Sequence, residues 1–192
     1  MPKLTIIDNF LDDEEFLRIL KSVEGVELPW HRQTSIGYGT GDFSTASQHD
    51  NENLIDTNKD FQFIHIVHDG VSIVSDHANL VGNLMQKLSP IAISRIKINC
   101  TMPASEFCQT GWHTDMDENI GGITSILYLN TCNGYTLFRD GTKCYSEANR
   151  LVSFDSNLEH TGVPHTDNTP CRFLINMNYF PNTGVNNEQD ND

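Results

Sequence analysis

The chain has 192 residues, 12 Lys and Arg against 26 Asp and Glu, and a formal net charge of −14. That length allows one domain with a core of its own, and the acidic balance argues against duplex nucleic acid, whose phosphates it repels. No apolar run nears the roughly 18 residues of a membrane helix, and MPKLTIIDNFLDDEE lacks the apolar stretch of a secretory signal, so a soluble, cytoplasmic protein with no membrane partner is expected.

LTIIDNF alternates as a short strand. LDDEEFLRILKSVEG reads as a helix, acidic in its first turn and with Gly25 near its end; Phe16, Leu17 and Leu20 give it an apolar stripe. From about Trp30 to Asp60 the chain is polar and rich in turn residues. Within it, 37–53 is a candidate lid, since long loops in compact domains often close over a ligand. VSIVSDHANLVGNLMQKL reads as a second helix.

After Pro90 the character changes to strands. ISRIKINCTM places Ile93, Ile98 and Cys100 on one face, with Ile96 fitting imperfectly, and Arg95, Lys97, Asn99 and Thr101 on the other. ITSILYLN, GYTLF, LVSFDS and RFLINMNYF are strand-like, separated by Asn, Asp and Gly. The end, 183–192, has the composition of a disordered acidic tail. Helices first and then a run of strands, with no linker or repeat, indicate a single α+β domain over 1–182, built on a β-sandwich of jelly-roll type. The five cysteines (100, 108, 132, 144, 171) are odd in number and form no C-x-x-C pair, so reduced thiols are expected.

The tripeptide His-Thr-Asp occurs twice, at 113–115 and at 165–167. Alone it is a weak signal. A mononuclear iron site needs two histidines and one carboxylate, with positions left open. The first copy has a histidine downstream: LVSFDSNLEH carries His160, 45 residues beyond Asp115. That spacing holds two or three strands and their turns. The second copy has no histidine after His165, and two prolines bound it as a turn, with Asp167 suited to capping backbone N–H groups. Arg172 follows His160 by twelve residues. Its guanidinium suits two-pronged binding of a carboxylate.

The ordered set GWHTDMD, ITSILYLN, NGYTLF, NRLVSFDSNLEHTG and CRFLINMNYF resembles the Fe(II)/2-oxoglutarate-dependent oxygenases. The resemblance is to the prolyl 4-hydroxylase-like branch, including its small phage and marine-bacterial versions. It covers most of the chain and is strongest from about Arg95 to Phe180. It implies a double-stranded β-helix core with N-terminal helices packed on one face. It implies iron(II) on His113, Asp115 and His160, and the 2-oxoglutarate C5 carboxylate on Arg172, with Thr161 or Thr166 adding a hydroxyl. A strand residue ahead of the motif often touches the cosubstrate; Lys97 and Asn99 fit by sidedness, and Asn99 is preferred. The family's GG-x-x-x-F turn stands here as NGYTLF, with Asn133 in place of the first glycine. Around the ligands, Trp112 and Phe154 are expected to form a dry wall and Asp117 to hydrogen-bond a ligand.

The implied activity is hydroxylation of a C–H bond using O2, with release of succinate and CO2 and with ascorbate as a supporting reductant. A peptidyl prolyl or other amino-acid side chain is the favoured substrate, a small molecule the next. Two other readings stay open at this point: a non-catalytic jelly-roll binding or structural module, and a cupin-like metalloenzyme that does not use 2-oxoglutarate and is indifferent to loss of Arg172.

Overall fold

The computed structural model describes residues 4–33, 61–107, 109–117 and 119–182. The candidate lid at 37–53 and the acidic tail at 183–192 lie outside them. Among the described residues, ten strands form two antiparallel sheets. The larger holds β1 (Thr5–Ile7), β2 (His31–Gln33), β3 (Gln62–His68), β4 (Pro90–Thr101), β5 (Ile123–Tyr128), β8 (Arg150–Asp155) and β10 (Arg172–Pro181), in the order β1-β8-β5-β10-β4-β3-β2. The smaller is β7 (Lys143–Tyr145), β6 (Tyr135–Phe138) and β9 (His160–Val163), in the order β7-β6-β9.

Alternation assigns each strand's residues to two separate cores. Leu127, Leu151, Ile175 and Met177 point to one side of the large sheet, in a cluster with Ile96 and Ile98. Phe16, Ile19 and Val23 of helix α1 (Asp13–Glu24) and Leu84 of helix α2 (Gly82–Leu88) belong to that cluster. Ile126, Tyr128, Val152, Phe154 and Leu174 point to the other side, where Phe138 and Cys144 of the small sheet join them. This second cluster fills the space between the sheets, but only at one end. Strand β4 adds nothing apolar there: its inward residues Arg95, Lys97, Asn99 and Thr101 line a cleft instead.

The register of β4 against β10 shifts twice, at Ser94 and, near the start of the strand, at Ile91. Arg95 pairs with Asn178 and Ile93 with the next residue, Tyr179, leaving Ser94 as an extra residue. Such a bulge shifts side-chain parity, so Ile93 and Ile96 pack on the same core although they are three apart.

Helix α1 starts where its acidic turn indicates: Asp12 caps it, accepting from the Glu15 N–H at 2.9 Å. Its buried stripe, however, is Phe16, Ile19 and Val23, while Leu17 is half exposed and Leu20 only partly buried. The second helix is shorter than its sequence pattern suggests. It covers 82–88, after a 3-10 turn at Ala78–Val81. Upstream, the Val74 N–H donates to the Val67 carbonyl and Ile73 opposes His68, so this backbone is spent on the end of β3. Strand β3 is absent from the sequence reading because Gln62 and His65, both buried, interrupt its apolar pattern. The short strands β2, β7 and β9 are likewise not read from sequence. Among the described residues, no helix is long and apolar enough to cross a membrane.

Asn149 ties the N-terminal segment to the sandwich. It sits at φ 61°, a conformation Asn tolerates better than most residues. Its side-chain Oδ1 accepts from the Leu11 N–H at 2.9 Å, and its Nδ2 donates to the Leu11 carbonyl at 2.8 Å. Asn149→Ala leaves two buried backbone groups unpaired and is expected to cost about 2–4 kcal/mol, read by urea unfolding.

His65 gives a pH dependence. One ring nitrogen meets the Pro29 carbonyl at 2.9 Å and the other the Ser75 hydroxyl at 2.7 Å. Burial holds its pKa below the ordinary imidazole range. The unfolded chain therefore takes up this proton first as pH falls. The stability His65 contributes is complete above about pH 6.5 and declines below it. Unfolding curves at pH 7.5, 6 and 5 should show a smaller acid loss in His65→Gln than in the parent protein.

Candidate metal centre

Strand β9 begins at His160, and its ring sits against apolar neighbours. Phe154 meets it edge-on with centroids 4.8 Å apart, and Phe138 lies at 6.1 Å. The loop before β5 is stitched to this point by two backbone hydrogen bonds. The His113 N–H donates to the His160 carbonyl at 3.1 Å, and the His160 N–H donates back to the His113 carbonyl at 3.0 Å. The two imidazoles come to 4.5 Å, centroid to centroid.

Each imidazole is oriented by the backbone two residues upstream. His113 Nδ1 meets the Gly111 carbonyl at 3.0 Å and His160 Nδ1 meets the Leu158 carbonyl at 2.9 Å. A carbonyl only accepts, so both Nδ1 atoms carry the hydrogen and both Nε2 atoms present a lone pair. Those lone pairs converge with Asp115: His160 Nε2 lies 3.5 Å from Asp115 Oδ2. The ligating atoms of His113, Asp115 and His160 all lie within 4.8 Å of one another, and no other group of three or more His, Cys, Asp or Glu among the described residues comes together in this way.

Asp115 is positioned as closely as the histidines. Its N–H donates to the Ser156 carbonyl at 3.0 Å. Oδ1 accepts from Arg95 Nη2 at 3.0 Å, and Oδ2 accepts from the Thr124 hydroxyl at 2.9 Å, with Asn176 Nδ2 at 3.5 Å. Asn178 in turn donates to Thr124 at 2.9 Å. Burial alone would raise the Asp115 pKa; the two imidazoles, Arg95 and the Thr124 hydrogen bond outweigh it, and the carboxyl lies well below the usual carboxylate range. Burial, reinforced by His160, pushes the His113 pKa down to about 4. Two imidazoles, each with Nε2 turned inward, and one carboxylate are thus presented to a common point.

Arg172 opens β10 on the inward face and lines the same cleft. It is buried, and its Nε and Nη2 have no hydrogen-bond partner among the described residues, while its Cζ lies 5.3 Å from the Tyr128 ring centroid. Its stem passes over Gly134, where an added Cβ would come within 3.1 Å of Arg172 Cδ and 3.0 Å of the His165 backbone nitrogen. Gly134, the one glycine of NGYTLF, therefore sits where the His165 and Val163 backbone and this arginine approach closely. Asn133, in place of the first, bonds the second His-Thr-Asp copy. Its N–H donates to Asp167 Oδ2 at 2.7 Å, its Oδ1 accepts from the Thr166 N–H at 2.8 Å, and its Nδ2 donates to the Thr166 hydroxyl at 3.0 Å.

The second copy is thus a structural turn. Asp167 also accepts from the Thr169 N–H at 3.1 Å, as a capping residue does. His165 is not on the surface: it is fully buried, with Nε2 against the Thr169 carbonyl at 2.8 Å.

Asn99 lines the cleft, with its Oδ1 buried and unpartnered. Thr161 does not line it; its hydroxyl donates to the Thr110 carbonyl at 2.8 Å, and Thr110 lines the cleft in its place. Thr166 is spent on Asn133. Phe154 walls His160 as expected, whereas Trp112 lies under Arg139, with Cζ 4.2 Å from the ring centroid. Asp117 is exposed and caps its own turn through Asn119 at 2.9 Å, away from the ligands. Four strands separate Asp115 from His160, more than the two or three expected. Arg95, Thr124 and Asn176 have no role in the sequence reading. Asn176 and Asn178 leave a visible trace, two amides at strand spacing in an apolar run.

Solved structures with this arrangement of strands exist. A 2OG-Fe(II) oxygenase family oxidoreductase from Burkholderia pseudomallei superposes with a TM-score of 0.61 at 14% identity, over 92% of this chain and 84% of that one. The chain has the 2-oxoglutarate/iron oxygenase fold. A prolyl hydroxylase from Trichoplax adhaerens, in complex with a hypoxia inducible factor oxygen degradation domain peptide fragment, gives 0.60 at 16% identity over 93% and 83%. A prolyl-4-hydroxylase from Pseudomonas putida gives 0.50 at 14% identity, over 94% of each chain. No family model matches the sequence, and no curated protein matches it. At these identities the likeness is one of fold.

The donor set fits a divalent transition metal, since neutral imidazoles and one carboxylate leave three of six octahedral positions open. Alanine at His113, Asp115 or His160 is expected to abolish metal binding, because three ligands leave none to spare. Asp167→Ala should leave metal affinity unchanged within error. Equilibrium dialysis against ferrous iron under argon measures both, and iron loss in Asp167→Ala as complete as in His113→Ala would overturn the choice of copy.

Proposed function

We propose that the chain is an Fe(II)- and 2-oxoglutarate-dependent dioxygenase that hydroxylates a C–H bond, with the whole activity in the domain 1–182. One observation carries this reading. A buried arginine with two unpaired donors shares a cleft with a His/Asp/His set. A buried guanidinium without an acceptor is costly. A dicarboxylate that chelates a metal at one end and meets Arg172 at the other removes that cost. A metal-binding jelly roll that uses no dicarboxylate leaves Arg172 unexplained.

In this reading His113 and His160 offer Nε2, and Asp115 one carboxylate oxygen. Arg95 and Thr124 hold the carboxylate in place, and the two backbone carbonyls fix the tautomers. Bound iron(II) with 2-oxoglutarate supplies the chemistry: one atom of O2 enters the substrate as hydroxyl, the other enters succinate, and the C1 carboxylate leaves as CO2. Arg172 orients the cosubstrate through its distal carboxylate, and Asn99 offers its amide beside it. Phe138 and Phe154 exclude water from the His160 side. A peptide substrate is supported only by fold, through the peptide-bound prolyl hydroxylase.

Arg172→Ala is expected to raise the KM for 2-oxoglutarate about 30-fold or more, as when one partner of a buried charge pair is truncated. Arg172→Lys should recover part of this, since the ammonium keeps the charge and loses the fork. Iron affinity should be unchanged. Succinate formation and ferrous titration on the two variants are the measurements, and normal 2-oxoglutarate affinity in Arg172→Ala would remove the cosubstrate.

A further inference from the structure

The chain is acidic, but this cleft is not. Among the described residues lining it are three cations, Arg95, Lys97 and Arg172, and one acid, Asp115. Arg95 is paired with Asp115, and Arg172 is assigned above to the cosubstrate. Lys97 has no partner. It is buried, only 9% exposed, and makes no ion pair or hydrogen bond among the described residues; the attraction of Asp115 reaches it only at longer range. Burial and Arg95 lower its pKa to about 8, against the attraction of Asp115. With a divalent metal and a dianionic cosubstrate bound, those two charges cancel. Asp115 cancels Arg95, and the cleft still holds two positive charges. A buried, unneutralised ammonium is retained at a cost unless an anion meets it.

The position of Lys97 separates it from Arg172. In the sheet register Lys97 stands opposite Asn176, whereas Arg172 stands opposite Thr101, four residues along each strand. Asn176 reaches the metal end of the cleft, with Nδ2 3.5 Å from Asp115 Oδ2. That contact turns the amide nitrogen toward the carboxylate and leaves Asn176 Oδ1 buried and unpartnered. Beside the metal centre there is therefore an unpaired cation next to an unpaired acceptor.

We infer that the molecule oxidised here is a small carboxylic acid that also carries an N–H donor, an α-amino acid being the simplest case. Lys97 takes its carboxylate and Asn176 Oδ1 takes its ammonium or amide N–H. This rests on the oxygenase reading of the same cleft and selects within it. An internal residue of a peptide has no free carboxylate and leaves Lys97 unpaired.

The test uses the full chain loaded with Mn(II) and 2-oxoglutarate in the absence of oxygen, so that binding is read without turnover. The probes are the twenty free L-amino acids and the carboxamide of each one that binds, titrated by calorimetry. At least one acid should bind, and its carboxamide should bind about 30-fold more weakly or worse. Lys97→Met should bring the acid down to the affinity of its amide, and leave 2-oxoglutarate affinity within about threefold. Thermal unfolding checks that this variant folds. Equal binding of acid and amide by the parent protein overturns the inference, as does a parent protein that binds 2-oxoglutarate and none of the acids. A Lys97→Met variant that loses 2-oxoglutarate while keeping the preference for acid over amide also overturns it, and assigns Lys97 to the cosubstrate. A parent protein that does not bind 2-oxoglutarate at all removes the oxygenase reading itself.

Discussion

The pair of backbone hydrogen bonds between His113 and His160 is the constraint on which the candidate centre depends. His160 belongs to the small sheet, and His113 to the loop that feeds the large one. Joining them at 3.1 and 3.0 Å fixes both main chains, and with them the starting points of both side chains. The carbonyls of Gly111 and Leu158 then set each ring by the same local device, a bond to the backbone two residues upstream. Asp115 follows because its N–H is held by Ser156 on the turn that leads toward His160. Three ligands thus converge with little side-chain freedom left to lose on binding a metal, which is how preorganised sites gain affinity.

The interior of the sandwich is divided into two chemical halves. Tyr128, Phe138, Val152 and Phe154 fill one half with apolar volume, and β4 together with the polar residues of β10 lines the other with charge and amides. Strand β10 crosses the boundary, with Arg172, Leu174 and Asn176 on one face. The dry half gives rigidity to His160 and to the ring beneath Arg172. The polar half is left with donors and acceptors that the protein does not satisfy: Arg172 Nε and Nη2, Asn99 Oδ1 and Asn176 Oδ1. Buried polar groups are ordinarily paired. Among the described residues, four such unpaired atoms lie in one cleft.

The repeated tripeptide shows how little a short motif says without its surroundings. The two copies are identical in sequence and opposite in use. The first is turned toward a third ligand. The second is folded onto Asn133, where Thr166 and Asp167 use their polar atoms to hold a turn. The same contact accounts for an asparagine at the position where the related pattern has glycine: its side chain bonds the turn between His160 and Arg172.

The sequence alone determined the strand-rich second half, the inward face of β4 and the start of α1, and it singled out His113, Asp115, His160 and Arg172, which the structure brings to one cleft. Each is written in local terms: period-two alternation, an acidic first turn, or spacing along the chain. The tertiary structure decided what depends on contacts between distant residues. Strand β3 was hidden because its buried Gln62 and His65 are polar, and only their partners Gln33, Pro29 and Ser75 make that burial tolerable. The second helix was overread because the bridge of Ile73 to His68 takes backbone that its apolar pattern assigned to a helix. Arg95, Thr124 and Asn176 lie 20, 9 and 61 residues from Asp115, and nothing local marks them as its hydrogen-bond partners. Thr161 had the right composition and the wrong face, since in a strand the residue after a ligand points away from it. Sidedness and spacing can be read along a chain; which polar atoms end up paired, and which are left for a ligand, is settled only when the sheets close on each other.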